Sequence, residues 1–277
     1  MADPRWVVFG AAGMLGTDLV ELLREQQRDF IPLTHGDADI TNFDAVHTLL
    51  RPTDIVVNCA AYTRVDDAET HRELAFSVNL DGASNLACAC RDAGARLVHI
   101  STDYVFGEAP AGIPIAVDAP LSPRCVYGES KAEGESAVRE HLGDAALIVR
   151  VAWLYGKYGH NFVRTVTSRL ASGQSMRVVD DQWGQPTWTR DAARAIITLV
   201  DAGAAGTRHC TNAGATTWFE FAQAIATASG FDAEEISPIP SSEYPTPAQR
   251  PPWSVLATDP RMREWREALA RFIDASN

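Results

Sequence analysis

Trp6-Val7-Val8-Phe9 runs straight into Gly10-Ala11-Ala12-Gly13-Met14-Leu15-Gly16, and the reading of this junction decides the fold. Four apolar residues in a row ahead of a turn read as a strand buried on both faces. From Met14 to Gln26 the apolar residues carry helical spacing. A glycine-rich turn between strand and helix lets the backbone approach a pyrophosphate, and the helix N-terminus adds oriented N–H groups and positive potential. Three glycines alone are a weak signal; the strand before them and the helix after them make a dinucleotide-binding fingerprint. Gly10, Gly13, Met14, Leu15 and Gly16 are therefore candidate cofactor contacts. The spacing is G-x-x-G-x-x-G, unlike the G-x-G-x-x-G of dehydrogenases with a separate catalytic domain.

The same alternation continues. Ile31-Pro32-Leu33, Asp54 to Asn58, Arg96 to Ile100 and Leu147 to Val149 read as further buried strands. Between them, Phe43 to Arg51, Glu73 to Ala93 and Tyr127 to His141 carry helical spacing, and Gly94 reads as a C-terminal cap. This predicts an α/β fold, a Rossmann-type doubly wound parallel sheet. Beyond Val151 the pattern changes. Thr189 to Val200 reads as a helix followed by a strand near His209. The proline-dense tail from Ile236, which includes Pro238, Pro240, Pro245, Pro247, Pro251, Pro252 and Pro260, reads as ordered loops rather than sheet. The expected organisation is a dinucleotide-binding domain at 1–155, rejoined by 185–212, and a smaller C-terminal substrate-binding lobe from 156–184 and 213–277.

Composition narrows the function. At 277 residues the chain is long enough for a substantial core. Its net charge of −12, without a run of Lys or Arg, argues against nucleic acid. No apolar stretch is long enough for a membrane helix, and Met1 to Trp6 lacks signal-peptide character. The 5 cysteines show no C-x-x-C pair and the 7 histidines no metal-ligand spacing. These features read as a cytoplasmic protein without a metal.

Tyr127-Gly128-Glu129-Ser130-Lys131, downstream of Ser101-Thr102-Asp103, carries the chemistry. A Tyr and a Lys four residues apart share one helix face. A free phenol titrates near pH 10, and a nearby ammonium favours its phenolate. Lowering it to about 7 would need roughly 4 kcal/mol. The end of the second strand, Thr34-His35-Gly36, offers no carboxylate for a ribose until Asp37 and Asp39, and no arginine for a 2′-phosphate. The missing carboxylate removes a repulsion against a 2′-phosphate and favours NADPH; the missing arginine does not, and NADH stays open.

In order along the chain stand the glycine loop, Asp39-Ile40-Thr41, Asn58-Cys59-Ala60-Ala61-Tyr62-Thr63, Ser101 to Phe106 and Tyr127-x-x-x-Lys131. In this the chain resembles the extended short-chain dehydrogenase/reductases. Val65 to Glu69, Val151 to Tyr155, Asp180 to Thr187 and Tyr244 to Pro251 narrow the resemblance to the dTDP-4-dehydrorhamnose reductase family, over nearly the whole chain. The resemblance implies that Asp39 and Ile40 flank the adenine, and that Ala60, Ala61 and Thr63 line the middle of the cofactor. Tyr127 would protonate the C4 oxygen while the nicotinamide delivers hydride to C4. Lys131 would hold the nicotinamide ribose and lower the phenol's pKa. Thr102 would meet the substrate carbonyl, and Asp103 and Trp153 the sugar. Arg250 would either grip the substrate diphosphate or anchor the proline-rich tail.

The implied activity is NADPH-dependent reduction of dTDP-4-dehydro-L-rhamnose to dTDP-L-rhamnose, by a monomer or homodimer. Two alternatives keep the fold. One reduces another dTDP-4-keto-6-deoxy sugar of an antibiotic pathway, of the dihydrostreptose type; the other is a non-catalytic NADP-binding regulatory subunit. An epimerase would use the same Tyr and Lys. Some relatives are metal-bridged dimers through surface acids; Arg190 stands where such an acid is expected, so no such metal is expected here.

Overall fold

The glycine turn follows a strand of the sheet that the alternation predicts, one that lies between the strand Ile55–Asn58 and the edge strand Phe30–Leu33. The computed structural model describes residues 4–107, 109–258 and 262–276; the leader reading at 1–3 and Pro260 lie outside them. In chain order the first part contains β1 (Trp6–Phe9), α1 (Met14–Glu25), β2 (Phe30–Leu33), α2 (Phe43–His47), β3 (Ile55–Asn58), α3 (Val65–Ala68), α4 (Arg72–Phe76), α5 (Gly82–Ala93), β4 (Arg96–Thr102), α6 (Val126–Leu142) and β5 (Leu147–Val151). The remainder contains β6 (Leu154–Tyr155), α7 (Phe162–Ala171), β7 (Met176–Val179), β8 (Trp183–Gly184), β9 (Thr187–Trp188), α8 (Thr189–Asp201), β10 (Gly206–His209), β11 (Thr216–Thr217), α9 (Trp218–Ala228), β12 (Ile236–Ile239) and α10 (Trp265–Ser276).

Six strands form one parallel sheet in the order β10-β5-β4-β3-β1-β2. The two faces explain the continuous apolar runs. Trp6, Val8 and Val57 pack under α1 and α8 on one side. Val7, Phe9 and Val56 pack under α2, α5 and Val138 of α6 on the other. Each such side chain, taken out of water, contributes about 1.5–3 kcal/mol. A separate core gathers Tyr155, Val166, Phe221, Ile225 and Trp265 from β6, α7, α9 and α10. No described helix is long and apolar enough to cross a membrane.

The structure departs from the sequence reading in three places. The helix expected from Glu73 to Ala93 is split by a π-helical segment, Ser77–Asp81. There Asn79 turns inward, accepting from Tyr62 N at 2.8 Å and donating to Ser130 Oγ at 2.9 Å, a polar load that regular helix geometry would not carry at that point. The helix from Phe43 stops at His47 rather than Arg51. Most plainly, Ile236–Ile239 is not loop: β12 pairs in parallel with β7, Pro238 opposite Val178. This two-stranded sheet leaves a free strand edge, where a proline without an N–H is tolerated. Gly94, with φ of 72°, does cap α5 in the left-handed region.

Among the described residues no cluster of His, Cys, Asp or Glu could hold a metal ion. Arg190 Nη2 instead donates to both carboxylate oxygens of Glu25 at 2.7 Å.

Candidate active site

The glycine loop is closed by contact, not by composition alone. Gly10 has φ of +74°, and a Cβ there would lie 2.5 Å from Ala60 N. A Cβ on Gly16 would lie 2.2 Å from Gly10 O. Gly13 caps α1 without any side-chain hydrogen bond, and the first turn holds no acid. The first N–H groups of α1 are thus left for a ligand, and the crowded loop admits its backbone approach. These features fit a dinucleotide pyrophosphate.

Helix α6 is held by its own N-cap, Cys125, and by groups from two other segments. Cys125 Sγ accepts from Gly128 N at 3.4 Å, and Glu69 Oε1 accepts from Val126 N at 2.9 Å. Ser130 receives the Asn79 amide, and a Cβ on Gly134 would lie 2.2 Å from Asn79 O. Asn79 therefore positions the helix that carries Tyr127 and Lys131. In the sequence Asn79 is one of several polar residues in the Glu73 to Ala93 stretch, and nothing local marks it.

Tyr127 lies edge-on to Tyr104, ring centroids 5.5 Å apart. Lys131 is 2% exposed, and its Nζ donates to Ile100 O at 2.6 Å. Burial pulls the ammonium down to about 8, against the opposing influence of Glu135 and Cys59. Burial also raises the Tyr127 phenol; the Thr102 hydroxyl works against that rise and Asp103 adds to it. The expected lowering of the phenol by Lys131 is therefore corrected. The ammonium points at the β4 carbonyl, desolvation dominates, and the phenol stays protonated.

Thr102 Oγ1 donates to Asp103 Oδ1 at 3.0 Å and accepts from Tyr104 N at 3.2 Å. Burial pushes the Asp103 carboxyl up to about 6, while the Ser254 and Thr102 hydroxyls pull the other way. An acid raised this way in the folded state costs stability once it ionises; the stability present below its unfolded value is lost as pH rises through about 6. Asp103→Asn is accordingly expected to raise Tm by several degrees at pH 7.5 and to change it little at about pH 4. Thermal unfolding at the two pH values measures this, and an equal shift at both would contradict it.

Trp153, at φ of +44°, adopts a backbone conformation that non-glycine residues rarely hold. Its ring stacks on Trp218 at 3.6 Å with an interplanar angle of 8°. Gly184 allows that stack, since a Cβ there would lie 2.3 Å from the Trp153 ring. The resulting cavity measures about 660 Å³ and brings together Gly13, Met14, Leu15, Ala61, Thr63, Thr102, Asp103, Tyr127, Lys131 and Trp153. Gly10, Gly16 and Ala60 are not among the residues that line it; Gly10 packs against Ala60 and Gly16 against Gly10. Asp39 and Ile40 lie outside it, past the end of β2, where Asp39 Oδ1 accepts from Thr41 N and Oγ1 at 2.9 Å and Ile40 is buried.

A second cavity of about 470 Å³, lined by Phe162, Arg169, Arg177, Tyr244 and Arg250 among others, shares His160 and Trp218 with the first. Neither shared residue was singled out in the sequence, because nothing local marks it. Arg250 forks onto Asp66 at 3.0 and 2.8 Å and also donates to Ala248 O at 3.2 Å. In this state it ties the tail to α3.

The family model of the RmlD substrate binding domain matches residues 5–277. The chain is 46% identical to a dTDP-4-keto-6-deoxy-D-glucose reductase of Streptomyces niveus, covering 95% of this chain and 91% of that protein. It is 44% identical to a dTDP-4-dehydrorhamnose reductase of Streptomyces griseus, covering 98% and 94%. Among solved structures it is similar to the dTDP-4-dehydrorhamnose reductase of Bacillus anthracis in complex with NADP, with a TM-score of 0.93, 38% identity and 99% and 100% of the two chains covered. With the glycine loop, the Tyr127–Lys131 helix and the two joined cavities, these matches mean that the chain belongs to the RmlD-type family of dTDP-4-dehydrorhamnose reductases.

Proposed function

We propose that this chain reduces the C4 ketone of dTDP-4-dehydro-L-rhamnose to dTDP-L-rhamnose with NADPH. The supporting observation is the convergence of Tyr127, Lys131, Thr102 and the open α1 N-terminus on one cavity of about 660 Å³. The nicotinamide supplies the hydride for C4 when bound. The α1 N–H groups and the Gly10–Gly16 backbone hold the pyrophosphate, Ala60, Ala61 and Thr63 flank the middle of the cofactor, and Asp39 and Ile40 bracket its adenine. Lys131 holds the nicotinamide ribose. Tyr127, buried and protonated, gives its proton to the C4 oxygen as the carbonyl is converted to a hydroxyl. Thr102 orients that oxygen, and its hydroxyl, which works against the rise of the phenol, steadies the phenolate left on Tyr127.

The sugar lies against the Trp153 face and Asp103, and the nucleotide extends past His160 and Trp218 into the second cavity. There Phe162, Trp218 and Tyr244 offer flat surfaces to a base, and Arg169 and Arg250 offer cations to a diphosphate. In this division 1–155 with 185–212 serves the cofactor, and 156–184 with 213–277 the sugar nucleotide. Five free cysteines fit a reducing cytoplasm.

A second reading, reduction of dTDP-4-keto-6-deoxy-D-glucose, is favoured by the 46% identity to a reductase of that name. One assay separates the two. Purified protein is mixed with NADPH and each 4-keto sugar, loss of the nicotinamide absorbance is followed, and the product is identified. Turnover of the rhamnose precursor is expected. Turnover of only the D-glucose derivative would assign the second reading, and no oxidation with either would refute the reductase.

A further inference from the structure

Glu135 is one helical turn beyond Lys131 on α6 and 0% exposed, yet no role in the reaction has been given to it. Arg150, itself 2% exposed, donates to both its oxygens, Nε at 2.8 Å and Nη2 at 2.7 Å. Arg139 adds a third contact at 2.8 Å. Burying a carboxylate and a guanidinium this deeply is costly, and apolar side chains of similar volume would serve packing as well or better. Lys131, meanwhile, is a buried cation whose Nζ donates to a neutral backbone carbonyl. A buried ammonium facing only neutral groups tends to lose its proton.

We propose that Glu135 is a positioning residue, a buried anion clamped by Arg150 and Arg139 that keeps Lys131 charged toward the cofactor cavity. The groups around the pair are consistent with this. Cys59, directly after β3, interacts with Lys131, its thiol pushed up to about 12 by burial, so it is neutral. His99 of β4 is held neutral by burial, its Nδ1 beside Asn58. Tyr127 is a neutral phenol. His209 of β10, 3.3 Å from Arg150, is drawn down to about 4 by burial and by that guanidinium. Glu135 itself, although burial pushes it up, is held at about 2 by the Arg150 fork. It is the one ionised carboxylate among these groups. The clamp also fixes where the charge sits, since Arg150 is anchored to Val117 O at 2.9 Å.

The inference rests on the proposed role of Lys131 at the cofactor, and its test need not involve turnover. NADPH affinity of the wild type, followed by nicotinamide fluorescence from about pH 6 to 10, should fall as Lys131 loses its proton near pH 8, and Lys131→Met should remove that inflection. Glu135→Gln should move it down by about one to two pH units, the effect of unit charges roughly 6 Å apart at an effective dielectric near 20. The alkaline limb of kcat/KM should move with it. If Glu135→Gln fails to fold, Glu135→Met with Arg150→Met removes anion and cation together without orphaning either; the lost guanidinium offsets part of the effect, so the inflection should still fall, but by less than in Glu135→Gln. An unmoved inflection in a folded variant, or one that survives Lys131→Met, overturns the inference. Should the wild type bind NADPH but reduce no 4-keto sugar, the proposed function fails and the binding titration still decides on Glu135.

Discussion

Tyr127→Phe is expected to lower kcat by about 10²–10⁴-fold, the range contributed by a positioned proton donor, with NADPH affinity changed by less than about twofold. The substitution removes only the phenolic hydroxyl. The ring keeps its edge contact with Tyr104 at 5.5 Å. The Thr102 hydroxyl loses one neighbour but still donates to Asp103 Oδ1 at 3.0 Å, so no buried donor is orphaned and folding should be spared. The pyrophosphate cradle is remote from the change, and Lys131 keeps its carbonyl partner. The loss should therefore fall on kcat rather than on cofactor binding. Single-turnover reduction and an NADPH titration on the same preparation separate the two. A near-wild-type rate would remove Tyr127 from the role of proton donor.

The contrast between what the sequence shows and what it hides has a physical basis. Strands buried on both faces leave continuous apolar runs, so Trp6–Phe9 and Ile55–Asn58 could be read directly. The glycines could be read because only they permit the crowded turn. Tyr127 and Lys131 could be read because helix geometry puts residues four apart on one face. Their protonation could not, since it depends on burial and on the Ile100 carbonyl that receives the ammonium, and spacing carries neither. The π-helical turn at Asn79 was hidden for a related reason: its partners, Tyr62 and Ser130, lie 17 and 51 residues away. Pro238 misled because a proline argues against strand only when its N–H would face a neighbour, and at β12 the free edge takes it. His160 and Trp218 line both cavities from segments far apart in the sequence, a proximity created by folding alone.

Gly16→Ala tests the loop most sharply, because two effects oppose each other there. Gly16 is helical, and alanine in a helix is ordinarily favoured over glycine by about 1 kcal/mol. A Cβ at this position, however, would meet Gly10 O at 2.2 Å and Ala11 Cα at 2.9 Å, well inside contact distance and against backbone that has no rotamer to change. Gly10 cannot retreat. It already sits in the left-handed region, with the backbone of Cys59 and Ala60 within 2.5–2.7 Å of where its own Cβ would be. Relief must come from α1, whose first turn would swing away from the loop and take its N–H groups off the pyrophosphate. The steric effect should outweigh the propensity gain, lowering Tm by several degrees and weakening NADPH binding by at least about tenfold. Gly13→Ala is the matched comparison, since its Cβ would meet only Gly10 O, at 3.2 Å, a contact that a few tenths of an ångström relieve. Its Tm should stay near the wild type and its NADPH affinity should fall less. If calorimetry and titration found Gly16→Ala as stable and as tight-binding as Gly13→Ala, the loop would not be closed by Gly16 against Gly10, and α1 would lose its place in the account of cofactor binding.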